Sequence, residues 1–339
     1  MKRGFFEILS IALIYCGTVF GAGFASGQEV VSFFSIHGFY GVLTAVFVGC
    51  LFVFFGYLVC RQVKSHEIKS AAAYFRFLFS KRVAAMLSLL CTAFLVVTFC
   101  IMIAGCGTLF YEQFSLRPVV GSLISLCICY HIMKRQVGGL ARLNGIVTPL
   151  MFFGVLVLCI VALAQMPETA QVHKGNIAQA GYSGILYISY NLVSAVAVLV
   201  PCAAIATTKR RAAWGGAFGG VLVAIPLILL ALTLARNTSV HSEQLPFFSL
   251  ICALCPALKP LCSAILYCAM LTTAASSGVS VVAQTPSRVS KTYAIALCLL
   301  ALIVSFVPFA VLVKTMYTLF GLCGVVLIFG IFKSFLRKQ

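Results

Sequence analysis

Aspartate is absent from this 339-residue chain, and acidic residues of any kind number six. Charged residues make up 9% of the sequence, and tryptophan occurs once. No phosphate-binding loop, no HExxH zinc helix and no GxSxG nucleophile elbow occurs, so nothing points to ATP-driven work or hydrolysis, and the chain is not expected to be an enzyme. His66, His173 and His241 fall in loops, His37 follows the first span and His131 ends a short one. No chemistry is assigned to them.

What is there is overwhelmingly apolar: 62% of residues are hydrophobic and the mean hydropathy is +1.12. This describes an all-α polytopic membrane protein and discards a soluble reading. At about 20 residues per crossing, ten spans lie near residues 5–35, 40–60, 83–111, 116–132, 144–166, 182–206, 212–235, 257–283, 292–312 and 315–335. The first is too long for a signal-peptide core and is read as a retained helix.

Alternating the connections across these spans puts nineteen of the 24 lysines and arginines on one side, including Lys2, Arg3, the cluster from Arg61 to Arg82, Lys209 to Arg211 and Lys338. Arg117, Lys174, Arg236, Lys259 and Lys314 lie opposite. The positive-inside rule therefore places both termini in the cytoplasm, as for a bacterial inner-membrane protein. The net charge of +18 is explained by orientation and by anionic lipid, with no nucleic acid partner. Sixteen cysteines lie mostly within the spans and read as small buried hydrophobes; Cys252, Cys255 and Cys262, in an external connection, leave room for a disulfide. The same connection, from Arg236 to Pro256, has the pattern of a re-entrant or interfacial helical lid, and Arg61 to Arg82 that of an interfacial connector helix.

The first span is interrupted by Gly17-Thr18-Val19-Phe20-Gly21-Ala22-Gly23-Phe24-Ala25-Ser26-Gly27-Gln28-Glu29. Each glycine costs a helix up to about 1 kcal/mol relative to alanine, and irregular backbone survives at membrane depth only where protein or a wet cavity meets it. A discontinuous helix lining a site is expected. Glu29 is the one acid well inside a span; it is either hydrated and paired, to Arg117 or to backbone, or it serves coupling or substrate binding, where burial would make it a usable proton acceptor.

Splitting the chain near residue 170 leaves five spans in each half, an odd number, so the halves run oppositely. A single membrane domain, 1–339, with inverted repeats at about 5–166 and 182–335 is expected. The sixth span, with Tyr187, Ser189, Tyr190, Asn191 and Ser194 at its middle, is the expected broken partner of the first. Amides near Ala22, Gly23, Phe24 and Ser26 would suit a substrate carboxylate, carbonyls near Gly17, Phe20 and Ala22 a small cation, and Tyr190, Asn191 and Ser194 would face the substrate.

The glycine-rich segment resembles the signature of the YkvI-like bacterial membrane proteins, which resemble LeuT-fold transporters of the amino acid-polyamine-organocation superfamily. That resemblance covers nearly the whole chain; to characterised LeuT-fold transporters it is carried by Gly17, Gly21, Gly23 and a hydroxyl pair in helix eight. It implies a sodium ion held by the carbonyls of Gly17, Phe20 and Ala269 and the hydroxyls of Thr272 and Thr273, with Ser276 and Ser277 as the alternative pair. Phe24 stands where many sodium-coupled relatives carry asparagine. It further implies symport: a sodium- or proton-coupled secondary transporter of a small amino acid or related compound, working by alternating access with no cofactor beyond a bound sodium ion. The alternative is a membrane sensor or assembly subunit that binds a small molecule without moving it. Oligomeric state is not legible.

Overall fold

The computed structural model describes residues 2–135, 139–166, 172–285 and 289–336. Arg288, Arg337, Lys338 and Glu168 lie outside them. All regular structure among the described residues is helical: α1 Lys2–Val19, α2 Ala22–Ala25, α3 Gln28–Phe33, α4 Gly38–Ser65, α5 Ala71–Leu78, α6 Lys81–Phe114, α7 Pro118–Arg135, α8 Gly139–Gln165, α9 Ile177–Ala204, α10 Lys209–Ala235, α11 Pro246–Leu254, α12 Lys259–Ala283, α13 Ser290–Val304 and α14 Phe309–Leu336. Seven segments are long and apolar enough to cross a membrane, and the helices at Gly4–Val19, Pro118–Lys134 and Ser290–Val304 are shorter apolar ones. The molecule is a multi-pass membrane protein.

Local signals set the helix starts. Asn176 caps α9 by accepting from the N–H groups of Ala178 and Gln179, Thr208 caps α10 by accepting from Arg211, and Pro246 opens α11, where a missing N–H costs nothing. Ser70 caps α5, whose Tyr74 and Phe75 are buried. The two short helices expected in the connections, α5 and α11, are both present, and α11 buries Pro246, Phe247, Phe248, Leu250 and Ile251.

Lipid tails give apolar helices little reason to associate, so close packing over small residues carries the assembly. Helix α4 lies along α10 where Gly56 and Gly216 put backbone on backbone; a Cβ at Gly56 would collide with Gly216 O. Helix α9 meets α14 the same way, at Gly321 against Leu186 and Gly324 against Ser189. Helix α6 runs along α12. Of the membrane-length segments α9 is the most enclosed, with 67% of its apolar window buried, and it packs against α1, α4 and α14. At the other end of α1, Glu7 Oε2 accepts from Thr207 Oγ1 at 2.7 Å and lies 3.6 Å from Arg211 Nη1, which ties the start of helix one to the start of α10.

Two expectations need correction. The sixth span is not broken: α9 is continuous over 28 residues. Three of its polar groups bond within the helix, Ser189 Oγ donating to Ile185 O, Asn191 Nδ2 to Tyr187 O at 3.0 Å and Ser194 Oγ to Asn191 O at 2.8 Å. Gly184, near its start, is there for packing, since a Cβ would strike Thr44. Nor is there a disulfide in the external connection; Cys252, Cys255 and Cys262 are free, and Cys255 Sγ donates to Gln165 Oε1 at 2.9 Å.

Candidate functional site

Helix one is interrupted twice. After α1 ends at Val19, Gly21 N–H turns to Val19 O at 2.8 Å, so Gly17 O loses the donor a continuous helix would supply. One helical turn follows, and the chain then passes through Gly27 at φ 82°, a left-handed conformation natural to glycine, before α3 begins. A Cβ at Gly27 would sit 2.9 Å from Phe247 Cβ and 3.0 Å from Leu234 Cδ1. Phe247 N–H donates to Ser26 O at 2.9 Å, which pins the lid helix α11 directly to the second interruption.

The first interruption opens onto a cavity of about 730 Å³. Gly17, Thr18 and Phe20 of helix one form one wall, and Thr272, Thr273, Ser276 and Ser277 of α12 form another. Ser194 of α9, and Thr148 and Met151 of α8, complete the deep end. From there the cavity runs to Ala71, Ala72 and Phe75 of α5 and to Gln284 just past α12. Thr92 Oγ1 donates to Gln284 Oε1 at 2.8 Å and bridges α6 to the end of α12. Outside the cavity lining, a cluster of rings packs together: Tyr190 stacks on Tyr317 at 4.8 Å and lies 5.6 Å from Phe33, while Tyr187 meets Phe34 at 4.8 Å.

Of the expected ion ligands, Gly17, Phe20, Thr272 and Thr273 line this cavity, as do the alternative hydroxyls Ser276 and Ser277. Ala269 is fully buried beside them. Thr272 Oγ1 donates to Cys268 O at 2.7 Å and approaches Ala269 O at 3.2 Å, which commits its proton and leaves its lone pairs free. Carbonyl and hydroxyl oxygens of this kind suit a hard monovalent cation; no group of three or more His, Cys, Asp or Glu among the described residues is placed to hold a metal ion.

The expected substrate groups divide differently. Ser194 lines the cavity. Gly23, Phe24 and Ser26 stand behind its wall: Phe24 stacks on Phe20 with ring centres 4.1 Å apart, and Ser26 Oγ donates to Gly23 O at 3.0 Å. Ala22 opens α2, and its side chain is not among those described. Tyr190 OH donates to Glu29 Oε2 at 2.6 Å, and Asn191 is turned to Tyr187 O. Glu29 is thus paired neither to Arg117 nor to backbone but to a tyrosine of α9. Its other side rests on α2: a Cβ at Gly23 would collide with Glu29 Oε1 and lie 2.9 Å from Cδ.

Sequence reasoning passed over Thr148, whose Oγ1 would be 2.5 Å from a Cβ at Gly17, and over Phe247 as the contact that locks the lid to the break. Both are long-range pairings with no local signal. The i, i+3 spacing of Tyr187 and Tyr190, which puts two phenols on one face, was the one available hint of the ring cluster.

The fold that holds this arrangement is shared with solved membrane transporters. A Na+-coupled sialic acid symporter in a substrate-bound outward-open state superposes with a TM-score of 0.64 at 14% identity, over 96% of this chain and 78% of the symporter. The transporter Mhp1 in its inward-facing conformation gives 0.66 at 11% identity, over 93% and 73% of the two chains. At these identities the likeness shows the fold. No family model matches the chain. In sequence, it is 27% identical over 316 residues to the uncharacterized membrane protein YkvI of Bacillus subtilis (strain 168), covering 92% of this chain and 91% of that one. The chain resembles the YkvI-like proteins along almost its whole length.

Proposed function

We propose that this protein is a secondary active transporter that moves a small amino acid or related compound by alternating access, coupled to sodium or protons, in the bacterial inner membrane with both termini cytoplasmic. The observation that carries the reading is the first break of helix one opening onto a cavity whose facing wall is the α12 hydroxyl run. A structural scaffold gains nothing from such a break, which forgoes backbone hydrogen bonds at membrane depth. The fold shared with a Na+-coupled symporter supports it.

In this reading α1 to α3 together, α4, α6, α7, α8, α9, α10, α12, α13 and α14 make ten crossings, and the first five are related to the last five by an inverted repeat. The lateral pairing of α4 with α10 and of α6 with α12, which are corresponding members of the two halves, supports that relation. Where sodium is the coupling ion, it is bound by the carbonyls of Gly17, Phe20 and Ala269 and the hydroxyls of Thr272 and Thr273, with Ser276 and Ser277 as the alternative pair. The cavity reaches α5, on the side of the basic connections, while rings and α11 close the other side. This conformation is therefore inward-facing, and outward opening requires α11 to leave Ser26. Reconstitution into proteoliposomes tests the reading: an inward sodium or proton gradient should drive accumulation of solute above its equilibrium level. Binding without accumulation under either gradient would replace transport with sensing.

A further inference from the structure

The cavity wall is polar without being charged. Among its described lining residues there is no Asp, Glu, Lys, Arg or His, although the chain as a whole carries +18. Its polarity comes mainly from hydroxyls, and five of them commit their protons within the protein. Thr18 Oγ1 donates to Ile14 O at 2.8 Å, Ser88 Oγ to Ala84 O at 2.9 Å, Thr92 Oγ1 to Gln284 Oε1, Ser194 Oγ to Asn191 O, and Thr272 Oγ1 to Cys268 O. What these groups have left for a ligand is lone pairs. These five acceptors are set between the apolar faces of Phe20, Phe94 and Leu95, with the buried Thr98 hydroxyl beside them.

A carboxylate is an acceptor and nothing else. In this cavity it finds no cationic side chain among the described lining residues to balance its charge. The place where helix-one amides would have received it, beside Gly23, is filled by the chain's own Glu29, whose Oε1 lies against that glycine. An organic ammonium does no better, because the one carboxyl nearby is turned behind the wall toward Tyr190. Taking an unpaired charge out of water is costly, whereas N–H and O–H groups on an uncharged molecule match the acceptors one for one.

We infer that the cavity takes an uncharged solute rich in N–H or O–H donors and with an apolar face, such as a primary amide, a lactam, a urea or a small polyol. This deepens the transporter reading and narrows its amino-acid cargo to a relative without the carboxylate. The recognition is set by the wall: Ser194 accepts from the solute while the ring of Phe20 packs against its apolar side.

The test is a charge series on shared carbon skeletons, presented to the purified full chain in sodium buffer: primary amides, lactams, ureas and polyols against the corresponding carboxylates, amines and zwitterionic amino acids. Two readouts are followed, the melting temperature and the rate at which Cys91 and Cys202, both in the cavity wall, react with N-ethylmaleimide. The expected result is stabilisation and thiol protection by uncharged donors, with each matching carboxylate at least about tenfold weaker, a gap of about 1.4 kcal/mol. Equal or tighter binding of a carboxylate or zwitterion, in sodium or without it, overturns the inference, and so does the absence of any stabilising compound at millimolar concentration. Uptake separates this from the parent reading. A carboxylate that binds and is accumulated would remove the present inference and keep transport, and an amide that binds but is never accumulated would do the reverse.

Discussion

Helix one and α9 pack against one another, and both carry a polar stretch at membrane depth, yet one is broken twice and the other runs unbroken for 28 residues. The difference lies in the backbone. Helix one has glycine at 17, 21, 23 and 27, and its interruptions fall at Phe20–Gly21 and Ser26–Gly27. Helix α9 has none after Gly184, and the side chains of Ser189, Asn191 and Ser194 hydrogen-bond to carbonyls three or four residues back. Polar side chains let an apolar helix continue while satisfying themselves; glycines let it stop. The two elements then divide the labour of the site, helix one presenting backbone oxygen to the cavity and α9 providing a rigid face of phenols.

That contrast can be broken most severely at Gly27. Its φ of 82° and the contact with Phe247 mean that Gly27→Val should cost about 1–3 kcal/mol in backbone strain and about as much again in crowding, with a large fall in melting temperature and detachment of α11 seen as faster hydrogen exchange over residues 246–254. A melting temperature equal to wild type would mean that the second interruption is not fixed by glycine.

The join between the two elements comes next. Tyr190→Phe leaves Glu29 Oε2 without its donor in a buried setting and should destabilise by about 1–3 kcal/mol. Glu29→Gln keeps an acceptor for Tyr190 and should preserve the fold within about 1 kcal/mol. If protons couple through this carboxyl, the same substitution removes the pH dependence of net uptake while exchange persists; uptake that keeps its pH profile in Glu29→Gln would make the pair purely structural. The smallest effect is expected inside α9, where Ser189→Ala removes only a bond of the helix to itself and should change stability by about 0.5 kcal/mol or less and uptake not at all. A severe loss there would show that α9 opens during transport.

The multi-pass helical class was legible because hydropathy reports on the solvent, and the break was legible because Gly17, Gly21 and Gly23 are a local backbone signal. The α5 and α11 helices announced themselves through proline and aromatic spacing. The expected break in the sixth span failed because a run of Ser, Asn and Tyr reads the same whether the groups face a ligand or their own helix. Glu29 was recognised as costly, but its partner lies 161 positions away and no sequence spacing encodes that pairing. The same holds for Thr148 against Gly17 and for Phe247 against Ser26, which depend on how whole helices dock.

The transport reading proposes that the first break of helix one and the α12 hydroxyls together hold a sodium ion. Measuring the melting temperature of the full chain in sodium against potassium, for wild type and for Thr272→Val with Thr273→Val, tests it most directly. Saturation at about a hundredfold above the dissociation constant stabilises by about 2.7 kcal/mol, so wild type should melt several degrees higher in sodium and the double variant should melt alike in both salts. A double variant that keeps the full sodium shift, or a wild type indifferent to sodium, would contradict it.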